Sequence, residues 1–495
     1  MEIPFLLLQT VLIPVLSMPV MALLGRKIGT RVGWVAAVVL SYTTILLLLG
    51  GIDFWISGSP LIEHYSWSTA VLNIEFGFLA DGLSYPVAIL MNIISTVVVV
   101  YSIRYVEHPI EEIHDEKEKG LNELYFSLFM LFPTGLLGVS FATNLVEIYL
   151  FLDILLIPLY FIISYFGLIQ RNRIATMVFM WGFIGGSLFL IGSVVVYSQI
   201  GSLMVSDLPA LVGSPLALWA TVFMLVGILM KMAVFGFHVW LPWVHSGAPT
   251  PVSAILTVFV GIMSYLLGRI FVQNLAVIIQ SFSRPLMIWA LITMLYGGLL
   301  TLAQDDIKLV YACSTISQTS YSLLGLASLT ATGAAGGVFY FLSHSLGKVI
   351  LFSCAGMVIL RTDVRNINKM GGLAKKMPVT AILCVIGSLI LSAIPPFSGL
   401  PAEWIMFMGI FEYGITAGSL LDIVIPIAGI FITFISTVYT FWPVMRIFFG
   451  PLPESMKDVR EAPLQMIIPT AVLALISLLI GVYPELVMRF LSTAF

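Results

Sequence analysis

Residues 231–253 read KMAVFGFHVWLPWVHSGAPTPVS, and this stretch decides the fold. Lys231, His238 and His245 fall seven apart inside apolar sequence, and Gly236, Pro242 and the cluster GAPTP interrupt the helix that would carry them. A soluble core has no use for such a pattern. An ionisable side chain at bilayer depth costs roughly 2.5–3.5 kcal/mol even on the milder insertion scale, so it marks an ion or proton pathway before it marks packing. Irregular backbone at that depth survives only where protein or a water-filled cavity satisfies it.

Outward from this stretch the chain is uniformly apolar. Of 495 residues 60% are hydrophobic and 9% charged, against about 25% charged in an average soluble domain, so this is an all-α polytopic membrane protein. Apolar runs of about 20 residues recur, the length that ~30 Å of hydrocarbon demands of a helix. About fourteen transmembrane helices are expected, the first centred near Thr10 and the last near Leu475. The first run, Ile3 to Leu24, lacks a basic leader and reads as a retained helix, not a cleaved signal. Lys and Arg gather in alternate loops, among them Arg26, Arg104, Arg171, Arg365, Lys375 and Lys457, while the opposite side keeps Arg269, Arg284 and Arg489 with most of the acids. That bias fits an even number of spans with both termini on the outer face. A net charge of −3 supplies no basic stripe, so no nucleic-acid partner is expected. Cys313, Cys354 and Cys384 lie scattered in apolar runs without metal or redox spacing and read as packing residues.

Two loops and a second interruption complete the organisation. Residues 53–78 carry Trp55, Tyr65 and Trp67 and alternate around TAVLNIEFGF, which predicts a short hairpin on the outer surface. Residues 107–123, EHPIEEIHDEKEKGLNE, read as a solvated charge run despite His108 and His114. The segment SAIPPFSGLPAEWIMF, 392–407, breaks the twelfth span with Pro395, Pro396, Gly399 and Pro401 and sets Glu403 just beyond. Broken helices in the seventh and twelfth spans are five spans apart, which predicts two inverted five-helix repeats. The expected divisions are a three-helix N-terminal segment with the outer hairpin (1–122), a first unit (123–275), a second unit (276–450) and a C-terminal helix (451–495).

The candidate proton carriers follow from position. On a continuous helix Lys231, His238 and His245 share one face about 10 Å apart, so protons pass between them only through water, for which the break makes room. Each histidine has a second reading, in which it bonds a carbonyl freed by the break. Asp153, mid-span in IYLFLDILLIPLYFII, is the acid that can oppose Lys231; Glu147, nearer the outer end, reads as an interfacial acid. His344 and Lys348 are four apart and share a helical face. Lys308 begins its span beside Asp305 and Asp306 and either pairs with them at the surface or turns inward.

These residues together resemble a known family. The lysine followed by FHVWLPWVHSGAPTPVS, the acid in FLDILLIPLYF, the run HSLGKVILF, and the phrases NINKMGGLAKKMP and PPFSGLPAEW resemble the antiporter-like membrane subunits of complex I and its relatives, over roughly residues 80–450. The relatives include multisubunit sodium/proton antiporters, membrane-bound hydrogenases, sulfur reductases and the archaeal deazaflavin-dependent dehydrogenase. The resemblance implies two half-channels, with Asp153 and Lys231 as the coupling pair, the central helices as relay and Glu403 at the exit. It also implies no cofactor or metal in this chain, other membrane-arm subunits and a peripheral redox arm as partners, and lipid around a multi-pass protein of a prokaryotic cell membrane. Glu403 resembles the chain-four, M-type subunit, whereas GAPTPVS and NINKMGGLAKKMP with Lys348 are closer to the antiporter and hydrogenase branches. Three positions depart from the family. Asp153 stands where glutamate is usual, Gly261 where the eighth span usually has lysine or histidine (with Thr257 the nearest polar group), and Gln318 where the tenth often has histidine. The expected function is an ion-translocating subunit of a redox-driven assembly that does not itself transfer electrons. Its rivals are a subunit of a non-redox multisubunit sodium/proton antiporter, a self-contained solute transporter, and a scaffold that does not pump.

Overall fold

The computed structural model describes residues 3–68, 73–107 and 120–495, with side chains described for all of these except 66–68, 73 and 74. Helices α1 (Leu6–Ile28) and α2 (Val32–Ser57) lead into an antiparallel hairpin, β1 (Leu61–Ser68) with β2 (Asn73–Ala80), Leu61 opposite Ala80, and then α3 (Ser84–Tyr105). There follow α4 (Leu121–Phe129), α5 (Leu131–Phe141), α6 (Leu145–Ile154), α7 (Leu156–Phe166), α8 (Arg171–Ile200), α9 (Ala217–Lys231), α10 (Trp240–Gly247) and α11 (Thr250–Leu266). The remainder is α12 (Ala276–Ile279), α13 (Ser283–Leu302), α14 (Ile307–Ala327), α15 (Ala331–Thr362), α16 (Pro378–Leu391), α17 (Gly399–Ala417), α18 (Leu420–Phe448), α19 (Leu464–Val482) and α20 (Glu485–Leu491). By length and composition, 10 helical stretches among the described residues are able to cross a membrane. That is fewer than the fourteen expected. The stretch Leu6–Ser57 contains both α1 and α2, α9 and α16 are apolar but short, and serine and threonine dilute the hydropathy of α14.

The centre of the molecule is α15, buried from Gly333 to Ile359, with α11 buried along its whole length beside it. Small residues let neighbours approach: a Cβ at Gly356 would run into Tyr101 and Thr250, and one at Gly336 into the backbone of Met406 on α17. At the periphery α8 and α18 present Phe179, Phe183, Phe431 and Phe434 outward, apolar faces suited to lipid or to a partner helix.

Acids fasten the hairpin to the helix ends. The Glu63 carboxylate accepts from the N–H groups of Leu7 (2.9 Å) and Leu8 (3.0 Å), filling donors that the first turn of α1 leaves unpaired. Glu147 accepts from Gly77 N–H of β2 (2.8 Å) and Thr143 N–H (2.9 Å), while the Asn144 side chain caps α6 by accepting from Glu147 N–H. Glu147 is therefore a buried anchor of the hairpin, not the interfacial acid its position in the sequence suggests. In the charge run, Glu107 pairs with Arg104 and Glu123 is buried 3.9 Å from Arg26; His108 and His114 lie outside the described residues. The three cysteines are buried and unpaired.

Each ion pair at the two faces joins groups that the loop charges place on the same side. Arg269 grips Asp81 with two nitrogens at 2.7 Å each, and Arg284 grips Asp422 in the same way. Across the molecule, Arg365 meets Asp306 at 2.8 Å. Asp81 also accepts from Leu83 and Ser84 N–H (both 3.0 Å), so it caps α3 while holding the end of α11. Burial alone would raise the Asp81 carboxyl, but Arg269 and the Ser84 hydrogen bonds outweigh it and hold the group below its ordinary value. A depressed carboxyl stabilises the fold above the ordinary carboxylate range and loses that contribution as pH falls through its own lowered value. Arg269→Ala should cost about 3 kcal/mol, the low end for a buried pair, because it takes the counter-charge from a largely buried Asp81. Thermal unfolding in detergent checks this: the midpoint should fall clearly at neutral pH, and the gap from wild type should close only below about pH 4. Equal midpoints at neutral pH would show the clamp to be idle.

Candidate ion-pathway site

Helix α9 ends at Lys231 because the chain turns into the left-handed region at Ala233 (φ 58°). Ala233 N–H donates to Met230 O (3.3 Å) and Val234 N–H to Leu229 O (3.5 Å), the two bonds of a Schellman ending. Glycine is the usual residue there, since an L side chain costs roughly 1–2 kcal/mol in that region. Gly236 (φ 95°) continues the turn and α10 begins at Trp240. Pro242 is the third residue of α10, in the first turn where a missing N–H costs nothing, so it lies beside the interruption and not in it. Helix α13 supplies partners for the freed backbone: Thr293 Oγ1 accepts from Phe235 N–H (3.1 Å) and Trp289 Nε1 donates to Phe235 O (3.0 Å). His238 joins the same support, accepting from Gly236 N–H at Nδ1 (3.3 Å) and lying 3.2 Å from the Tyr296 hydroxyl at Nε2. Its partners are an amide and a hydroxyl, not the freed carbonyl of the second reading.

The junction between α16 and α17 repeats this turn. Ala393 is left-handed (φ 51°), its N–H donates to Ile390 O (3.3 Å), and Ile394 N–H donates to Leu389 O (3.0 Å). Pro395 and Pro396 follow, joined by a cis peptide, and Pro401 is the third residue of α17 just as Pro242 is of α10. Glu403 sits one turn into α17, half-buried, and Met406 one turn further packs against Gly336 of α15 and Gly325 of α14.

Lys231 Nζ lies 4.0 Å from Asp153 Oδ1, which projects from the last turn of α6. The lysine side chain is 1% exposed and the aspartate 27%, and neither Lys231 Nζ nor Asp153 Oδ1 has a hydrogen-bond partner in the protein. The space in which they meet is made by two glycines of α8. A Cβ at Gly186 would stand 2.9 Å from Asp153 Oδ1 and one at Gly185 3.2 Å from Lys231 Cγ. Residue-by-residue reading of the sequence passes over these two glycines; the available signal is their adjacency inside an apolar span.

A second group of titratable side chains gathers where α10, α14 and α15 meet. His245 is fully buried, its ring stacked on Phe352 at 4.7 Å, with no protein partner at either nitrogen. Lys308 turns inward and its ammonium donates to Ala248 O in the turn between α10 and α11. Asp306 caps α14 and pairs with Arg365, which also reaches Ser246 Oγ (2.9 Å). Lys348 donates to Tyr311 O (2.9 Å) and to Ser314 Oγ, and His344 one turn away keeps Nε2 unpaired. Buried polar groups nearly always find partners, so orphans at Asp153, Lys231, His245 and His344 mark positions suited to bridging water. The centre of α11 offers nothing titratable: the Thr257 hydroxyl donates to Ala254 O (2.6 Å) and Gly261 lies against the Phe341 ring. Among the described residues no group of His, Cys, Asp and Glu is arranged to hold a metal ion. The structure thus brings Asp153 to Lys231 and gathers His245, Lys308, His344 and Lys348, while His238 and Glu403 stand apart from both groups.

Comparison with known proteins places this arrangement. Residues 142–429, more than half the chain, match the family described as NADH:quinone oxidoreductase/Mrp antiporter, TM, and residues 67–113 match the N-terminus of chain 5 of NADH-ubiquinone oxidoreductase (complex I). The chain is 29% identical over 445 residues to NADH-quinone oxidoreductase subunit M of Rickettsia typhi, covering 87% of each. It is 29% identical over 438 residues to F(420)H(2) dehydrogenase subunit M of Methanosarcina mazei, covering 86% of this chain and 83% of that one. Its fold matches a chain in the structure of respiratory complex I from Thermus thermophilus with a TM-score of 0.85 at 20% identity, over 99% of this chain and 98% of the other. With the buried lysine–aspartate pair, the interrupted helices and these matches in hand, the chain is a member of the NADH:quinone oxidoreductase/Mrp antiporter family of transmembrane subunits.

Proposed function

We propose that protons cross this chain by a water-bridged route from Asp153 and Lys231, through His245, Lys348 and His344, to Glu403. As a family member the chain is an ion-translocating, antiporter-like subunit of a complex-I-like energy-converting membrane assembly. The observation that carries the route is the 4.0 Å approach of Lys231 to Asp153, with Lys231 Nζ and Asp153 Oδ1 unpaired otherwise, at the end of an interrupted helix. At an effective dielectric near 20, unit charges at that distance interact by roughly 4 kcal/mol, so opening and closing the pair is enough to move a proton on or off the lysine. Lys308 holds the turn at Ala248, three residues beyond His245. His238 steadies the interruption.

The architecture in this reading has fourteen crossings: α1 and α2 count separately, and α4 with α5, α6 with α7, α9 with α10 and α16 with α17 each make one broken crossing. The two matching Schellman turns at Ala233 and Ala393, each followed by a half-helix with proline at its third position, support two inverted units at 123–275 and 276–450, flanked by 1–122 and 451–495. The partners are other membrane-arm subunits, a peripheral redox arm that holds the electron carriers, and the lipid of a prokaryotic cell membrane. The family description also names Mrp antiporters, so a non-redox multisubunit sodium/proton antiporter is the second reading. Copurification with iron–sulfur or nickel-iron subunits separates the two.

Lys231→Met and Asp153→Asn should each leave the complex assembled and lower ion translocation at least about tenfold, and Lys231→Arg should fail as well because arginine does not release its proton. Translocation in reconstituted vesicles is the measurement, and an unchanged rate in Lys231→Met would end the proposed route. Gly186→Ala should act like Asp153→Asn by displacing the carboxylate, whereas Ala233→Gly should be tolerated and raise stability by up to about 1–2 kcal/mol; an active Gly186→Ala variant would show that the gap between Asp153 and Lys231 needs no such fit. For topology, a cysteine at Lys375 should react with an impermeant thiol reagent only from the cytoplasmic side and one at Ser59 only from outside, with the three buried native cysteines silent. Labelling of both from one side would refute fourteen crossings.

A further inference from the structure

In the second unit the buried polar groups are largely hydroxyls, and one amide sets their direction. Gln318 on α14 is fully buried; its Nε2 faces Leu391 O (3.3 Å), an acceptor only, which fixes which end of the amide is which. Its Oε1 accepts from the Tyr340 hydroxyl (2.6 Å) and its Nε2 donates to the Tyr439 hydroxyl (2.7 Å). The Tyr439 oxygen is therefore an acceptor from Gln318, and its own hydrogen has two destinations, Ser436 Oγ at 3.0 Å or Ser317 Oγ at 3.2 Å. Ser436 Oγ lies 2.6 Å from the Tyr321 hydroxyl, and Ser317 donates to Met294 O (2.8 Å).

The hydrogens have two self-consistent settings. In one, Tyr439 donates to Ser436 and Ser436 to Tyr321, which leaves the buried Tyr321 hydrogen without a protein acceptor at a cost of about 1–3 kcal/mol that a nearby charge can offset. In the other, Tyr321 donates to Ser436, Ser436 to Tyr439 and Tyr439 to Ser317, so the string runs down to the Met294 carbonyl. Only hydroxyl hydrogens rotate between them; no covalent bond forms or breaks and no heavy atom has to move. The settings have different dipoles, and aligned hydrogen bonds in a low-dielectric interior reinforce one another, so a nearby charge favours one over the other. Glu403 is placed to be that charge: α15 and α17 run antiparallel in contact, Gly333 against Gly409 and Gly336 against Met406, so the next turn sets Tyr340 level with Glu403.

We propose that Tyr439, Ser436 and Tyr321 form a two-position hydroxyl switch, oriented by Gln318 and set by the charge on Glu403, which gates proton release at the end of the pathway. It rests on the reading of Glu403 as the exit carboxyl. Ser436 is a positioning residue in this scheme, and it can be removed without touching Gln318. In the assembled complex, Ser436→Ala should lower translocation about tenfold, the effect of losing one hydrogen bond at the barrier, and Ser436→Thr should restore it. Infrared difference spectra taken across a pH change provide the readout that packing alone would not move. The carboxyl band that disappears in Glu403→Gln should shift in Ser436→Ala and in Tyr321→Phe, but not in Ser477→Ala, which alters a separate hydroxyl chain through Ser398 and Ser343. Normal transport in Ser436→Ala, or lost transport with an unshifted band in both Ser436→Ala and Tyr321→Phe, would overturn the switch while Glu403 kept its role. Wild-type transport in Glu403→Gln would instead remove the exit carboxyl, and the switch with it.

Discussion

Backbone groups released inside a hydrocarbon layer must find partners within the protein, and this requirement arranges the molecule around its two interruptions. A helix that stops at Lys231 exposes carbonyls at lipid depth, and the structure answers with a Schellman turn, a histidine at the turn itself, and three side chains of a helix that follows later in the chain. The interruption is stable only because those partners are present. That same stop puts the lysine ammonium at a helix end, among side chains of other helices, where it faces a carboxylate instead of its own neighbours.

The titratable groups are few and each is isolated by apolar packing. Two glycines hold open the gap for Asp153 and Lys231, and aromatic rings wall in His245 and Gly261. Charges arranged in this way influence one another through a medium that screens poorly, so a change at one member alters the next without large movement. Pairs such as Asp81 with Arg269, near the ends of the helices, do a different job, fixing those ends so that the interior geometry is held.

A residue is legible in the sequence when its type carries meaning by itself. A lysine, an aspartate or a glutamate in an apolar run is conspicuous, so Asp153, Lys231 and Glu403 stand out from their neighbours alone, and the hairpin is visible from its alternation. Alanine is the commonest of helix residues and gives no warning of a left-handed turn, so the eye goes to the prolines while Ala233 and Ala393 make the interruptions. Adjacent glycines in a membrane span have too many uses for Gly185 and Gly186 to be singled out. Glu147 hides its role because its partner strand is distant in sequence, and His238 because its hydroxyl partner lies 58 residues away.

The dependence of the first interruption on α13 also bears on biogenesis. Phe235 waits for Thr293, a separation of 58 residues, before its amide is satisfied, and His238 waits as far for Tyr296. During synthesis the N-terminal half must therefore enter the bilayer with unmet backbone groups, sheltered by water or by the insertion machinery, until the next helix arrives. A truncation that ended before α13 would keep Lys231 and Asp153 yet be unable to close around them.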